Sequence, residues 1–204
     1  MPESAAPVPL ILASASGARA GLLRGAGVEV EVVPARVDEA ALKAALLQNG
    51  APARDMADAL AELKARKVAA RHPDRLVLGA DQVLVAGGTT FDKPADRAGA
   101  RRQLERLRGQ SHELLSAAVV FENGAPVWRH LGRARLAMRG FSDDFLEDYL
   151  AAEGDAVLAV VGCYRIEGLG AQLFSRIEGD HFTILGLPLL EVLGFLRTRG
   201  MVGT

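Results

Sequence analysis

The stretch Leu76–Val85 constrains this chain most. It is apolar apart from Asp81 and Gln82, and Ala86-Gly87-Gly88 follows it as a turn. A run bounded in this way reads as a strand and commits the chain to a sheet. A carboxylate inside such a strand is costly unless it meets a metal, a cation or a proton to transfer. A salt bridge or a strand-end turn would satisfy Asp81 without any function. A functional role is the better reading, because no other charge breaks the run.

The rest of the chain supplies partners for that strand. Leu10–Ala13 reads as a short buried strand, with a helix opening at Gly17 and running through Leu23. Val28–Val33 alternates weakly and reads as a second strand. Asp55–Arg71 is a helix stopped by His72-Pro73-Asp74, and Asp96–Leu107 is a helix ended by Gly109. His112–Phe121 and Val127–Met138 read as strands paired around Asn123-Gly124. Ser142 caps a further helix, with Asp143 and Asp144 favouring its dipole and Phe141 and Leu146 as a hydrophobic staple. Leu189–Arg199 closes the chain as a helix. Strands and helices alternate irregularly around an antiparallel pair, so the fold class expected is α/β with a twisted mixed sheet flanked by helices.

At 204 residues the chain suits one domain, with 1–9 and 200–204 expected to be loose. Half the residues are hydrophobic and 24% are charged, which is globular composition, and no apolar run is long enough for a membrane helix. The start imitates a signal peptide, but it carries Glu3 and no early Lys or Arg, so no leader is read there. One cysteine, Cys163, makes no internal disulfide, which fits a cytoplasmic setting. Nine arginines lie between Arg97 and Arg139. With a net charge of -1 and 5% aromatics, a solvated helix face carrying pairs such as Arg101/Glu105 explains them better than RNA binding. The histidines show no metal-ligand spacing, and neither a Walker A loop nor a G-x-S-x-G elbow is present.

Several residues beyond Asp81 carry chemistry. Ser14, Ser16 and Arg19 sit where a strand hands over to a helix, so hydroxyls, backbone N–H groups and a guanidinium form an anion cradle. The plain alternative is that Ser16 only caps the helix. Ala57, Leu60, Ala61, Lys64 and Val68 share one helical face, which turns Lys64 inward. An inward ammonium either meets an anion or snorkels from the edge of that face, and unpaired it would cost stability until a phosphate arrived. Val37-Asp38-Glu39 is either a metal site or a helix start. Lys93, in Asp92-Lys93-Pro94, points at a phosphate or simply lies in an exposed turn.

Taken in order, these stretches resemble the Maf family of nucleotide pyrophosphatases from about Leu10 to Leu196. The stretches are Ser14-Ala-Ser16-Gly17-Ala18-Arg19, Val37-Asp38-Glu39, Glu62-Leu63-Lys64-Ala65, Gly79-Ala80-Asp81-Gln82-Val83, Asp92-Lys93-Pro94, Glu167-Gly168-Leu169-Gly170 and Gly186-Leu187-Pro188-Leu189. Gly17 stands where the family has proline, one of its paired arginines is absent, and Asp92 replaces the glycine of G-K-P.

The resemblance implies two lobes around a nucleotide cleft and hydrolysis of a nucleoside triphosphate to monophosphate and pyrophosphate. It implies that Ser14, Ser16, Arg19, Lys64 and Lys93 offset the triphosphate's charge. Glu39 and Asp81 would hold a divalent cation, Mg²⁺ or Mn²⁺, and Asp81 would also act as the base toward water. Ala18, Gln82 and Glu167 fall at the three positions that tune the base. There the dTTP/UTP branch carries Arg, Thr and Gln, and the 7-methylguanine branch Trp, Gln and Glu. A homodimer is the assembly the family suggests; neither nucleic acid nor membrane is an expected partner. The alternative function is a nucleotide-binding regulator of septum formation without turnover.

Overall fold

The computed structural model describes residues 8–203. The loose ends expected at 1–9 and 200–204 therefore fall, at 1–7 and 204, outside the described residues. Pro9, inside them, is tied down: its carbonyl accepts from Arg75 Nη2 at 2.7 Å.

One mixed sheet organises the molecule. Its strands are β1 (Leu10–Leu12), β2 (Val30–Val32), β3 (Val77–Ala86), β4 (Thr89–Phe91), β5 (Ser111–Glu122), β6 (Ala125–Met138) and β7 (Phe174–Glu178). They run in the order β2-β1-β3-β5-β6-β7, with β4 beside β3. β1 pairs in parallel with β2 and β3, and every other pairing is antiparallel. This is the mixed sheet expected from the sequence. The β5–β6 hairpin turns at Asn123 and Gly124, whose φ angles of 50° and 76° suit an Asn-Gly turn.

The helices are α1 (Gly17–Gly25), α2 (Glu39–Gln48), α3 (Ala53–Ala69), α4 (Arg97–Leu107), α5 (Asp143–Glu153), the single turn α6 (His181–Ile184) and α7 (Leu189–Thr198). Three short 3₁₀ turns lie between Gly154 and Leu173. Ser142 caps α5 by accepting from the Phe145 amide at 3.2 Å, and Phe141 and Leu146 join the same apolar cluster. Among the described residues, no helix is long and apolar enough to cross a membrane.

Alternation along β3 divides the core. Val77 and Val83 face α3, which buries Met56, Leu60 and Val68, about 1.5–3 kcal/mol apiece. On the opposite face, Leu78 and Ala80 pack with α1 and α7, whereas Leu84 packs with α4 and α5. Between those two apolar clusters lies a polar step, Gln82 and its register partner Ser116.

The edges of β3 explain where a cleft opens. β5 pairs with one edge from Val77 to Val85. On the other edge β1 reaches only to Leu78, where its neighbour Ala13 donates to the Leu78 carbonyl at 2.8 Å, and β4 begins at Leu84. The segment between them, with Asp81 at its centre, has no strand beside it on that edge among the described residues.

Candidate active site

The charged centre is built on a close helix–strand contact. A Cβ on Gly79 would lie 2.2 Å from the Ala61 carbonyl oxygen and 2.7 Å from the Ala65 nitrogen. Glycine alone lets α3 approach β3 this closely, and the approach brings Lys64 onto Asp81. The Lys64 ammonium donates to Asp81 Oδ1 at 2.5 Å and lies 3.0 Å from Glu39 Oε1. Lys64 and Asp81 are buried, while the Glu39 side chain is 40% exposed. Asp38 N-caps α2, accepting from the Ala41 amide at 2.9 Å, which places Glu39 at the first helical position. Of the two readings of Val37-Asp38-Glu39, the helix start holds for Asp38, and Glu39 reaches Lys64. Lys64 is not the unpaired inward ammonium considered above, because two carboxylates share it. Asp81 does meet the salt bridge that was the alternative to a functional role, and its partner Lys64 is itself one of the residues expected at the site.

Arg19 stands beside this centre. Its Nε donates to the Gly186 carbonyl at 2.8 Å, and its Nη1 donates to Ser14 Oγ at 3.1 Å and to the Ala80 carbonyl at 3.0 Å. Burial lowers its pKa, and the charges of Asp81 and Glu39 oppose that change. Ser16 caps α1, with its hydroxyl accepting from the Arg19 amide, and its own amide donates to Ser14 Oγ. Helix geometry leaves the Gly17 and Ala18 amides without intrahelical acceptors. Lys93 is exposed at its surface, yet its pKa is lowered by partial burial and by the nearby charges of Arg19 and Lys64. Asp92 pairs with Lys43 of α2, 2.6 Å distant, so its charge is matched.

Of the residues expected to meet the base, Ala18 is exposed on the first turn of α1. Gln82 lies on the sheet face that α1 covers, its Nε2 3.0 Å from Ser116 Oγ and from the carbonyls of Thr183 and Ile184. Glu167 is exposed between two 3₁₀ turns and 3.3 Å from Arg165 Nε. No recorded hydrogen bond or ion pair among the described residues joins Glu167 to Ala18 or Gln82. Ser116 and Thr183, which touch Gln82, and Lys43, which pairs with Asp92, escaped the sequence reading, while Gly186 entered it only within a motif; each meets a partner distant in the chain.

Elsewhere the chemistry is quiet. Cys163 is buried, and burial pushes its thiol up to about 12, far from a nucleophile's range. Arg97, Arg101, Arg108, Arg129 and Arg133 all pair with acidic side chains. A 610 Å³ groove lined by Pro9, Arg24 and Glu31, among others, lies along β2 and contains none of the site residues.

The geometry can be set against known proteins. A family model described as Maf-like protein matches residues 9–199. A protein of Ruegeria pomeroyi named nucleoside triphosphate pyrophosphatase is 53% identical over 97% of this chain and 99% of its own length. One of Jannaschia sp. (strain CCS1), named nucleoside triphosphate pyrophosphatase 1, is 54% identical over 95% of this chain and 98% of its own. A protein of Mesorhizobium japonicum named 7-methyl-GTP pyrophosphatase is 51% identical over 95% and 97%.

Proposed function

The chain belongs to the Maf-like protein family, and from that premise we propose that it hydrolyses nucleoside triphosphates to the monophosphate and pyrophosphate in the cytoplasm. The observation that carries the reading is the buried Lys64, shared by Asp81 and Glu39 beside Arg19. With Lys93, three cations face two carboxylates, a surplus that suits a polyanion better than a structural network. The relatives' names favour turnover over a regulator that only binds.

In this reading a water oxygen attacks the α-phosphorus. The bond from that phosphorus to the α–β bridging oxygen breaks, and pyrophosphate leaves with the electron pair. Asp81 orients the water and takes its proton. Arg19, Lys64 and Lys93, with Ser14, Ser16 and the α1 amides, offset the charge on the phosphates and the leaving group.

The residues present fit a divalent cation that arrives with its nucleotide. Among the described residues there is no cluster of three His, Cys, Asp or Glu side chains able to hold a metal alone. Mg²⁺ needs fewer, because it keeps waters and takes one or two carboxylates together with substrate phosphates. Glu39 and Asp81 supply those oxygens, and Mn²⁺ suits the same donors. When bound, the cation polarises the phosphoryl oxygens and neutralises charge.

Pyrophosphate release from a panel of nucleoside triphosphates, with Mg²⁺ or Mn²⁺ and then with excess chelator, tests the proposal. Release that needs the metal is expected. Nucleotide binding with no pyrophosphate formed from any substrate would overturn it in favour of the regulator.

A further inference from the structure

One face of α2 carries two charges to two different parts of the molecule. Glu39, Leu42, Lys43 and Leu46 are half-buried, and the other residues of the helix are exposed. That is an i, i+3, i+4, i+7 stripe. Leu42 and Leu46 pack against the apolar cluster beneath α3. Glu39 meets Lys64 at 3.0 Å, and one turn later Lys43 donates to Asp92 Oδ1 at 2.6 Å.

Asp92 stands on a well-anchored loop. Phe91 and Pro94, which bracket Asp92 and Lys93, are buried, and Phe91 belongs to the cluster of α4 and α5. The Asp92 carbonyl accepts from Gln103 Nε2 of α4 at 2.6 Å, and Gln103 Oε1 accepts from the buried Cys163 thiol at 3.3 Å. α2, by contrast, buries none of its residues fully, so little apolar contact holds it down. The Lys43–Asp92 pair ties this thinly packed helix to the loop, and so joins two separate apolar clusters. Glycine, which the family's G-K-P has in place of Asp92, has no side chain to make the tie.

We propose that Lys43 and Asp92 are positioning residues, a clasp that fixes Glu39 of α2 relative to Lys93 of the loop about the phosphates. The inference rests on the proposed pyrophosphatase function. Lys93 follows Asp92 directly and feels the charges of Arg19, Lys64, Glu39 and Asp81, so the clasp lies one residue from the charged centre on the loop and one turn from it on the helix. A carboxylate near a phosphate site also has an effect of opposite sign, because it repels the triphosphate. Acting through its field alone, Asp92 would hinder the enzyme and its removal would help. As part of a clasp it helps, and its removal does harm. The sign of one substitution therefore separates the two.

The test is kcat/KM for GTP and for UTP with Mg²⁺ in the wild type, Asp92→Ala and the reversed pair Lys43→Glu with Asp92→Lys. Asp92→Ala is expected to lower both values by about twofold to fivefold, the range of an exposed ion pair, and the reversed pair to recover the loss. Unchanged or raised values in Asp92→Ala would overturn the proposal. Hydrogen exchange in the nucleotide-free protein gives a readout independent of turnover. Asp92→Ala leaves the sequence of α2 untouched, yet it is expected to speed exchange of the α2 amides by about the same factor while α3 keeps its rates; α2 exchange at the wild-type rate overturns the clasp. A wild type that releases no pyrophosphate from any nucleotide removes the pyrophosphatase reading and the positioning role with it, while the exchange rates still show whether the pair holds α2.

Discussion

The Lys64 ammonium lies 2.5 Å from Asp81 Oδ1, the two side chains coming from α3 and β3, and both are buried. A buried pair of this kind gives little net stability, because desolvating two charges offsets most of their attraction. Its value is positional. Lys64 holds Asp81 and Glu39 close together, in the open stretch of the β3 edge between β1 and β4. Under the proposed function, two carboxylates gathered around one cation would meet a substrate that brings both a metal and a phosphate.

Asp81→Asn should leave the fold intact and lower the rate of pyrophosphate release about 10²–10⁴-fold, the usual contribution of a positioned acid–base group. The amide keeps the shape and still accepts from Lys64, but it takes no proton and brings no charge to a metal. Single-turnover kinetics alongside circular dichroism check this. A variant within a few-fold of wild type would exclude Asp81 as base or ligand.

Lys64→Ala should lower the melting temperature of the nucleotide-free protein. An unpaired ammonium would have predicted the opposite sign, but here removal leaves two carboxylates facing each other. Breaking a buried pair costs about 3–5 kcal/mol, and the partial exposure of Glu39 puts the effect at or below the lower end. Mg²⁺ without nucleotide should then stabilise the variant more than the wild type. Thermal melts with and without Mg²⁺ decide it; a variant that melts higher and ignores the metal would contradict the pairing.

Gly79→Ala should push α3 away from β3. The added carbon would meet backbone atoms at 2.2 and 2.7 Å, which cannot rotate aside. Overpacking of this kind costs about 1–3 kcal/mol, and separation of Lys64 from Asp81 should reduce turnover as well. Urea denaturation and steady-state rates measure the two effects. Wild-type activity in a destabilised variant would show that α3 shifts without disturbing the pair.

Stability should fall with acid through a residue outside the site. His112 is buried against Tyr164, 2.7 Å from its hydroxyl, and burial lowers its pKa from 6.5 to about 4. Between those values the unfolded chain binds the proton and the folded chain does not, so stability rises with pH across that window. Above pH 6.5 both states are neutral and the effect vanishes. The loss is complete near pH 4 and amounts to about 3 kcal/mol at most. Denaturation at a series of pH values should show a slope one proton smaller in His112→Gln; identical slopes would place the titration elsewhere.

What could be read from the sequence was whatever follows from local periodicity. The inward face of α3 singled out Lys64, and the break in an apolar strand singled out Asp81. Ser142, Asn123 and Gly124 announced their cap and turn by local chemistry. α2 was invisible except for its start, because Glu39–Gln48 fully buries none of its side chains and so has no strong apolar stripe. The short, largely exposed β4 and β7 owe their existence to pairing with β3 and β6. The Arg19–Gly186 bond spans 167 positions, and nothing local in either segment signals it. Gly79 could be named as part of a motif, but its reason, the approach of α3, appears only in three dimensions.

Guanine nucleotides should be hydrolysed better than dTTP, UTP or CTP. Gln82 turns its amide nitrogen to the Thr183 and Ile184 carbonyls, and under the proposed function its oxygen and the Glu167 carboxylate would both meet the base as acceptors. Guanine offers adjacent N1–H and N2–H donors to such a surface. Thymine and uracil present carbonyl oxygens on both sides of a single N–H, and cytosine presents a bare ring nitrogen. One or two mispaired polar contacts cost about 1–3 kcal/mol each, so selectivity of about 10–100-fold is expected. The 7-methyl form adds a positive charge that an aromatic face would reward by ~0.5–2 kcal/mol, but Ala18 offers no such face. GTP and 7-methyl-GTP should accordingly lie close together, both well ahead of the pyrimidines. Among the described residues, Glu167 is exposed and paired with Arg165 alone, at 3.3 Å, so little would hold it back from a bound base. Comparing kcat/KM for GTP, 7-methyl-GTP, dTTP, UTP and CTP under one metal decides the matter. A lead for dTTP or UTP would mean that Glu167 does not face the base and that the acceptor pair is not what reads it.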